Sequence, residues 1–178
     1  MKRLFFPLFA VLFLAACQNN TTEESNEEEM GGAAQETTEP AQEKEEMANE
    51  EPQEVSLELK TIGETMNTME YEPNRLEVPA GAKVNLTLVN EASAEAMIHN
   101  AVFIERGKQM EVIEAGMEAG KDGGYLDESH PAIIAATELA YPGETKTLTF
   151  TAPDEPGTYQ YICTYPGHTS MKGILIVK

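Results

Sequence analysis

Three side chains that could bind a soft metal ion lie close together near the end of the chain. Cys163, His168 and Met171 fall within nine consecutive residues, and Pro166-Gly167 predicts a tight turn between them. A second histidine, His99, opens a predicted strand earlier in the chain. One thiolate, one thioether and two imidazoles make up the ligand set of type 1 copper sites, where the histidines and cysteine lie near a plane and the methionine is a long axial ligand. The sequence therefore predicts a site for one copper ion.

Other uses of these residues fit less well. Structural zinc prefers four strong ligands in paired spacings, and no second cysteine lies near Cys163. A catalytic Cys–His pair would have no use for Met171, and no oxyanion-stabilising motif accompanies it. Copper enzymes with a second metal centre need more histidines than the three of this chain, and the third, His130 beside Pro131, is expected to be a surface or capping residue. A protein for copper delivery, storage or sensing could use the same four ligands, and this alternative stays open.

The elements that would position these ligands are short strands. Between residues 55 and 178, apolar and polar residues alternate in about seven short segments, separated by turn signals such as Pro142-Gly143. This pattern, without helical periodicity, predicts one all-β domain, an antiparallel β-sandwich. Residues 107–124 break the pattern, because their apolar residues are spaced loosely as on a helix, and a flap with a short helix is expected there. The predicted strands are 55–59, 76–78, 83–90, 99–104, 144–151, 157–163 and 172–178.

Residues 1–16 have the organisation of a secretory signal peptide. Lys2 and Arg3 precede an apolar run at positions 4–14 that is too short to span a bilayer, and small residues precede Cys17. The sequence Leu14-Ala15-Ala16-Cys17 resembles the bacterial lipobox, which implies cleavage before Cys17 and a lipid on its sulfur. Two or more acyl chains would hold the protein stably at the membrane. We therefore expect a lipid-anchored protein on the extracytoplasmic face of the cell membrane, in a periplasm or at a cell surface.

Residues 17–54 are predicted to form a disordered acidic linker between the lipid and the domain, which occupies residues 55–178. From position 21 to 54 the chain has 13 glutamates against one lysine, which accounts for −12 of the formal net charge of −19. Such a segment cannot bury enough apolar surface to offset its ordering entropy. The acidic charge argues against nucleic acid as a partner. If Cys17 carries lipid, Cys163 has no disulfide partner in the chain, which is a further reason to assign it to a metal.

Two motifs give the chain a specific resemblance to a known family. Met97-Ile98-His99-Asn100 and the segment CTYPGHTSMKG at 163–173 are similar to the two copper-binding motifs of azurin and the auracyanins, which are blue-copper proteins. Further similarity at 61–71 and 116–126 extends the resemblance over most of residues 55–178. It implies a Greek-key, cupredoxin-like β-sandwich with one type 1 copper, bound by His99, Cys163, His168 and axially by Met171. It also implies a monomeric electron carrier rather than an enzyme, with redox partners such as a cytochrome or a terminal oxidase or reductase.

The resemblance implies roles for the neighbours of the ligands as well. Asn100 would tie the two ligand segments together with Thr164 as its partner, and its backbone N–H would donate toward the Cys163 sulfur. Contacts of this kind orient metal ligands and tune redox potential. Met97 and Met117 match apolar residues of a docking patch around His168, whose outer ring edge is expected near the surface as the electron port.

The chain departs from azurin at three points. Only Thr169 and Ser170 separate His168 from Met171, one residue fewer than in azurin, which bears on the length of the axial bond. Ile98 stands where azurin has a glycine whose carbonyl approaches the metal. The cysteines of the azurin disulfide are absent.

Overall fold

The computed structural model describes residues 53–178. The predicted signal peptide, the lipid-bearing Cys17 and the linker as far as Pro52 lie outside the described residues and stay predictions. Within residues 53–178 no helix is long and apolar enough to cross a membrane. The strands in this part of the chain are β1 (Glu54–Ile62), β2 (Glu70–Glu72), β3 (Arg75–Val78), β4 (Lys83–Asn90), β5 (Val102–Ile104), β6 (Ile133–Ala136), β7 (Thr145–Thr151), β8 (Gly157–Ile162) and β9 (Lys172–Val177), with one helix, α1 (Gln109–Ala119), between β5 and β6.

The strands form two sheets, which confirms the predicted β-sandwich. The first sheet has the order β2-β1-β4-β7 and the second has the order β3-β9-β8-β5-β6. Strand β1 runs parallel to β4, and β3 runs parallel to the last strand, β9, while the remaining pairs are antiparallel. The predicted antiparallel direction is therefore wrong for these two pairs. Alternation of apolar and polar residues shows which face of a strand is buried, but it carries no information on the direction of its neighbour.

The core lies between the sheets and follows the alternation of the sequence. In β4, Val84, Leu86, Leu88 and Asn90 are buried, whereas the residues between them are not. Burying a leucine side chain fully contributes about 1.5–3 kcal/mol. Aromatic rings join the two layers, because Phe103 of β5 lies 4.8 Å from Phe150 of β7, measured between ring centroids. This core fixes the positions of the strand ends from which the ligands emerge.

The expected flap is packed against the second sheet. Val112 and Ile113 of α1 are buried with Val102 and Ile104, which face away from the main core, so the helix covers the outer surface of β5. Gly116 allows the helix to approach the following loop, because a Cβ atom there would lie 2.3 Å from the carbonyl oxygen of Tyr125. The flap therefore holds a fixed position beside the sheet.

Two strands and several strand boundaries differ from the sequence prediction, most of all the start of β5. Strand β2 is only three residues long, too short for an alternating pattern to mark it, and the four residues of β6 are all half-buried and do not alternate. His99 was expected to open a strand, but it forms an isolated bridge with Ala140, and β5 begins at Val102. The ligand His99 thus lies in the connection between β4 and β5.

Candidate metal centre

Strand β4 ends in a buried asparagine that positions His99. Asn90 donates from Nδ2 to the carbonyl oxygens of Met97 (2.7 Å) and Ala140 (3.0 Å), and its Oδ1 accepts from the Thr61 hydroxyl. His99 and Ala140 exchange two backbone hydrogen bonds of 3.1 and 2.7 Å. Sequence reasoning missed Asn90, although a polar residue at a core-facing position of an alternating strand is a signal that could have found it. This network fixes the backbone of His99 from both sides.

The other three ligand candidates lie on the connection between β8 and β9. Cys163 directly follows β8, and its backbone N–H donates to the carbonyl oxygen of Met171. Two successive turns form the loop: the N–H of His168 donates to the carbonyl oxygen of Tyr165 (3.0 Å), and the N–H of Met171 donates to the carbonyl oxygen of His168 (2.9 Å). Gly167 has φ of 84°, a conformation that glycine adopts without strain. The short loop folds back on itself because of these turns, and so brings His168 over Cys163.

The predicted ligand atoms converge on one point. The Cys163 sulfur lies 3.8 Å from Nδ1 of His99, and the Nδ1 atoms of the two histidines are 3.2 Å apart. All three donor atoms lie within 4.8 Å of one another, and the three residues are at most 1 % exposed. Met171 is 2 % exposed and belongs to the same core cluster as Cys163. Soft sulfur and imidazole donors that converge in a buried position fit a copper ion.

Burial shifts the titration of the ligands. The pKa of His99 falls to about 4, because burial and the nearby His168 disfavour its charged form. Burial also lowers the pKa of His168, and a hydrogen bond with the backbone of Ile98 opposes this. The pKa of the Cys163 thiol rises to about 11 through burial, although hydrogen bonds with the backbone of Asn100 and Tyr165 act in the other direction. At neutral pH both imidazoles are therefore neutral and ready to bind, whereas the thiol must lose a proton when a metal binds.

Asn100 and Thr164 join the two ligand segments side by side. Asn100 Nδ2 donates to the Thr164 hydroxyl (2.9 Å), and the Thr164 N–H donates to Asn100 Oδ1 (3.0 Å). Tyr71, which is buried, donates from its hydroxyl to the Asn100 carbonyl oxygen. Tyr71 lies in the segment that resembles the family, but the sequence alone does not show that it contacts Asn100, 29 positions away. The two segments that bear His99 and Cys163 are thus held at a fixed separation.

The surface around the site differs from the expected docking patch. Met97 is 3 % exposed and packs in the core cluster, so its assignment to a surface patch is wrong. Met117 on α1 is 51 % exposed. His168 is 1 % exposed, so its ring edge does not reach the surface as expected. The sequence pattern did not indicate that the His168 ring would be buried.

Two side chains from other parts of the chain lie on the ligand loop. A Cβ atom on Gly167 would lie 2.3 Å from the methyl group of Met66, so this methionine, 54 % exposed, packs on the loop beside His168. Gln109 at the start of α1 donates to the carbonyl oxygen of Thr169 (2.6 Å). His130 is not part of the ligand group, and its Nδ1 accepts from the N–H of Ala132.

A family model supports this geometry. Residues 57–178 match the model described as copper binding proteins, plastocyanin/azurin family. The chain belongs to this family. Its cofactor is therefore one copper ion, and His99, Cys163 and His168, with Met171, form the type 1 site.

Curated relatives agree with the assignment. Auracyanin-A of Chloroflexus aurantiacus is 36 % identical over 126 residues, which cover 69 % of this chain and 74 % of that protein. An azurin of Pseudomonas fluorescens biotype C is 31 % identical over 127 residues, which cover 68 % of this chain and 99 % of the azurin. Both alignments span most of the described part of the chain.

Solved structures show the same fold. Auracyanin A, a "blue" copper protein from Chloroflexus aurantiacus, superimposes with a TM-score of 0.63 at 35 % identity, covering 70 % of this chain and 99 % of the auracyanin. A dithionite-reduced auracyanin from Roseiflexus castenholzii gives a TM-score of 0.61 at 35 % identity, with 69 % and 96 % covered. The predicted cupredoxin-like fold is thereby confirmed.

Proposed function

We propose that this protein carries single electrons between redox partners on the extracytoplasmic side of a membrane, to which a lipid on Cys17 anchors it. The observation that supports this most is the convergence of the His99, Cys163 and His168 donor atoms within 4.8 Å in a fully buried position. A site whose three ligands are at most 1 % exposed favours electron exchange over a reaction with a substrate at the metal. Copper delivery or storage would favour a more open site.

The bound copper supplies a one-electron couple. The residues of this chain that hold the ligands would limit their movement when the copper changes oxidation state. Asn90 and the Ala140 bridge hold His99, while the Asn100–Thr164 pair sets the distance to Cys163. Backbone N–H groups of Asn100 and Tyr165 stabilise the thiolate of Cys163, and the surrounding core excludes water.

Electrons would enter or leave through His168. Its ring centroid lies 5.0 Å from that of Tyr165, which in turn contacts Tyr125 in an edge-to-face arrangement at 5.4 Å. Met66, which packs against the loop that bears His168, and Met117 on α1 both supply exposed apolar surface. Small apolar contacts of this kind suit the brief encounters of redox partners, such as a cytochrome or a terminal oxidase or reductase.

The anchor would keep the carrier near membrane-bound partners. An acidic linker of about 35 residues has a coil reach of roughly 30–40 Å, and self-repulsion would lengthen it. Cys17→Ala in the full-length protein should release the protein from the membrane fraction without changing its copper site. A variant that stays in the membrane fraction and cannot be washed off would contradict the lipid anchor.

Voltammetry of the copper-loaded protein tests the electron-carrier function directly. We expect one reversible one-electron wave and fast electron exchange between oxidised and reduced molecules. His168→Gly should keep copper bound through the remaining ligands but slow the exchange, and added imidazole should occupy the opened position. Copper that a chelator removes quickly, without a reversible wave, would point to delivery or storage instead. An unchanged exchange rate in His168→Gly would argue against His168 as the port.

A further inference from the structure

A groove on the second sheet carries positive charge on an otherwise acidic domain. It has a volume of about 330 Å³ and is lined by Asn74, Arg75, Gln160, Lys172, Gly173 and Ile174. Residues 55–178 contain 18 acidic and 9 basic side chains, yet Arg75, Lys172 and Lys178 all lie on the neighbouring strands β3 and β9 or directly after them. Glu77 pairs with Arg75 and with Lys178, whereas no carboxylate of residues 53–178 pairs with Lys172. An exposed apolar side chain, Ile174 (40 %), lies between the charges.

The ring of Tyr161 lies directly behind this groove. Tyr161 is paired with Gly173 across β8 and β9, and a Cβ atom on Gly173 would lie 2.0 Å from its Cζ atom. The Tyr161 hydroxyl donates to the carbonyl oxygen of Pro73 (2.7 Å), which precedes the groove residue Asn74. Glycine is therefore required at position 173, and only its backbone separates the ring from the groove.

The same ring lies next to the metal centre. Tyr161 and Cys163 are two residues apart at the end of β8, so their side chains point to the same face and their Cα atoms are about 6.5 Å apart. The ring of Tyr71 stands edge-to-face on Tyr161 with centroids 5.1 Å apart, and its hydroxyl bonds the carbonyl of Asn100, the residue after His99. Two tyrosines thus link both ligand segments to the back of the groove.

We propose that this groove is a second electron port, reached from the copper centre through Tyr161 and Tyr71, and that it docks a redox protein which presents carboxylates beside its own cofactor. The inference rests on the proposed electron-carrier function. One electron passes from the donor to the acceptor through the tyrosine rings, which are neither oxidised nor reduced. A carrier with two ports can be reduced at one surface and oxidised at the other without releasing its first partner.

The docking claim is tested with hexacyanochromate(III), a paramagnetic, redox-inert trivalent anion. Added to the copper(I)-loaded full chain, it should broaden the backbone amide signals of Asn74, Gly173 and Ile174. Lys172→Gln should weaken this binding by at least about fivefold at low salt, because a screened charge pair is lost. Lys83→Gln removes the same charge from the other sheet and should leave the broadening unchanged. Broadening confined to the ligand loop at 165–170, or none at all, would overturn the proposal.

The electron path is tested with hexacyanoferrate(II) as a one-electron donor to the oxidised protein. Tyr161→Phe keeps the aromatic ring, so hexacyanoferrate(II) should reduce this variant as fast as the wild-type protein. Tyr161→Leu removes the ring, and its rate of reduction should fall to that of Lys172→Gln. Lys172 is exposed, so the Lys172→Gln rate remains decisive even if Tyr161→Leu does not fold. Groove variants that react as fast as wild type would overturn the second port alone. A wild-type protein that accepts no electrons at all would instead contradict the proposed function.

Discussion

The two sides of the copper centre are equally buried but are held in different ways. The segment around His99 is fixed by hydrogen bonds with the side chains of Asn90, Thr137 and Thr164, which belong to three separate parts of the fold. The loop that bears His168 is held mainly by its own turns, with one bond from Gln109 and the apolar contact of Met66. In the proposed function, the first side would set the ligand geometry, while the less tightly held second side would give access to the metal.

The largest effect is expected from a substitution of Cys163, the ligand at which the two sides of the copper centre meet. Cys163→Ser should abolish the intense visible colour of the copper protein completely, because a hydroxyl does not supply the thiolate that gives the charge-transfer band. The similar size of serine should preserve the fold, as far-ultraviolet circular dichroism would show. His130→Ala, which removes a histidine outside the site, should keep the full absorption. Strong colour in Cys163→Ser would refute the ligand assignment.

Asn100→Ala is expected to have the next largest effect. It leaves the buried Thr164 N–H without a partner and separates the two ligand segments, at a cost of about 2–4 kcal/mol in the free energy of unfolding. The absorption band should also shift, since the distance between His99 and Cys163 is no longer fixed. Urea unfolding and visible spectra of the copper-loaded variant measure both changes. A variant as stable as wild type would show that the first side is not held by this pair.

Stability of the copper-free protein should depend on pH through His99. In the unfolded chain this histidine takes up a proton near pH 6.5, but in the folded protein its pKa is about 4, so the unfolded state binds more protons between these values. Folding stability should therefore be greatest above pH 6.5 and fall as the pH is lowered toward 4, by up to about 3 kcal/mol. Urea unfolding at pH 7 and pH 4.5 measures this loss. His99→Gln should reduce it, and an equal loss in the variant would assign the effect to other groups.

The smallest effect is expected on the loop side. Gln109→Ala removes an exposed hydrogen bond to Thr169, and should lower the free energy of unfolding by less than about 1 kcal/mol. It should nevertheless speed removal of copper by a chelator, because it loosens the loop that covers His168. A stopped-flow chelation assay compares this variant with Asn100→Ala. Stability losses of equal size in the two variants would remove the distinction between the sides.

The parts of the site that could be predicted are those written within one stretch of sequence. Cys163, His168 and Met171 fall on one loop, so their spacing indicated a metal site before any fold was known. Asn90 and Tyr161 act through contacts with residues far away in the chain, and no local pattern reveals such contacts. Burial of Met97 was missed for the same reason, because its side chain packs in a core cluster formed by residues from distant parts of the chain.

The fold likewise has features that the local sequence predicts and features that depend on residues far apart in the chain. Strand β4 was predicted with its observed bounds, since four alternating buried residues mark it clearly. The parallel pairing of β3 with β9 joins residues about a hundred positions apart in the sequence and could not be inferred from alternation. Helix α1 lies within the predicted flap, but its packing on β5 depends on the sheet being present.

The most direct test of the central claim is a visible absorption spectrum of the purified protein after addition of one equivalent of copper(II). We expect an intense thiolate-to-copper band that saturates at one equivalent, disappears on reduction and returns on oxidation. A protein that stays colourless, or in which copper merely oxidises Cys163, would contradict the type 1 site and with it the electron-carrier function.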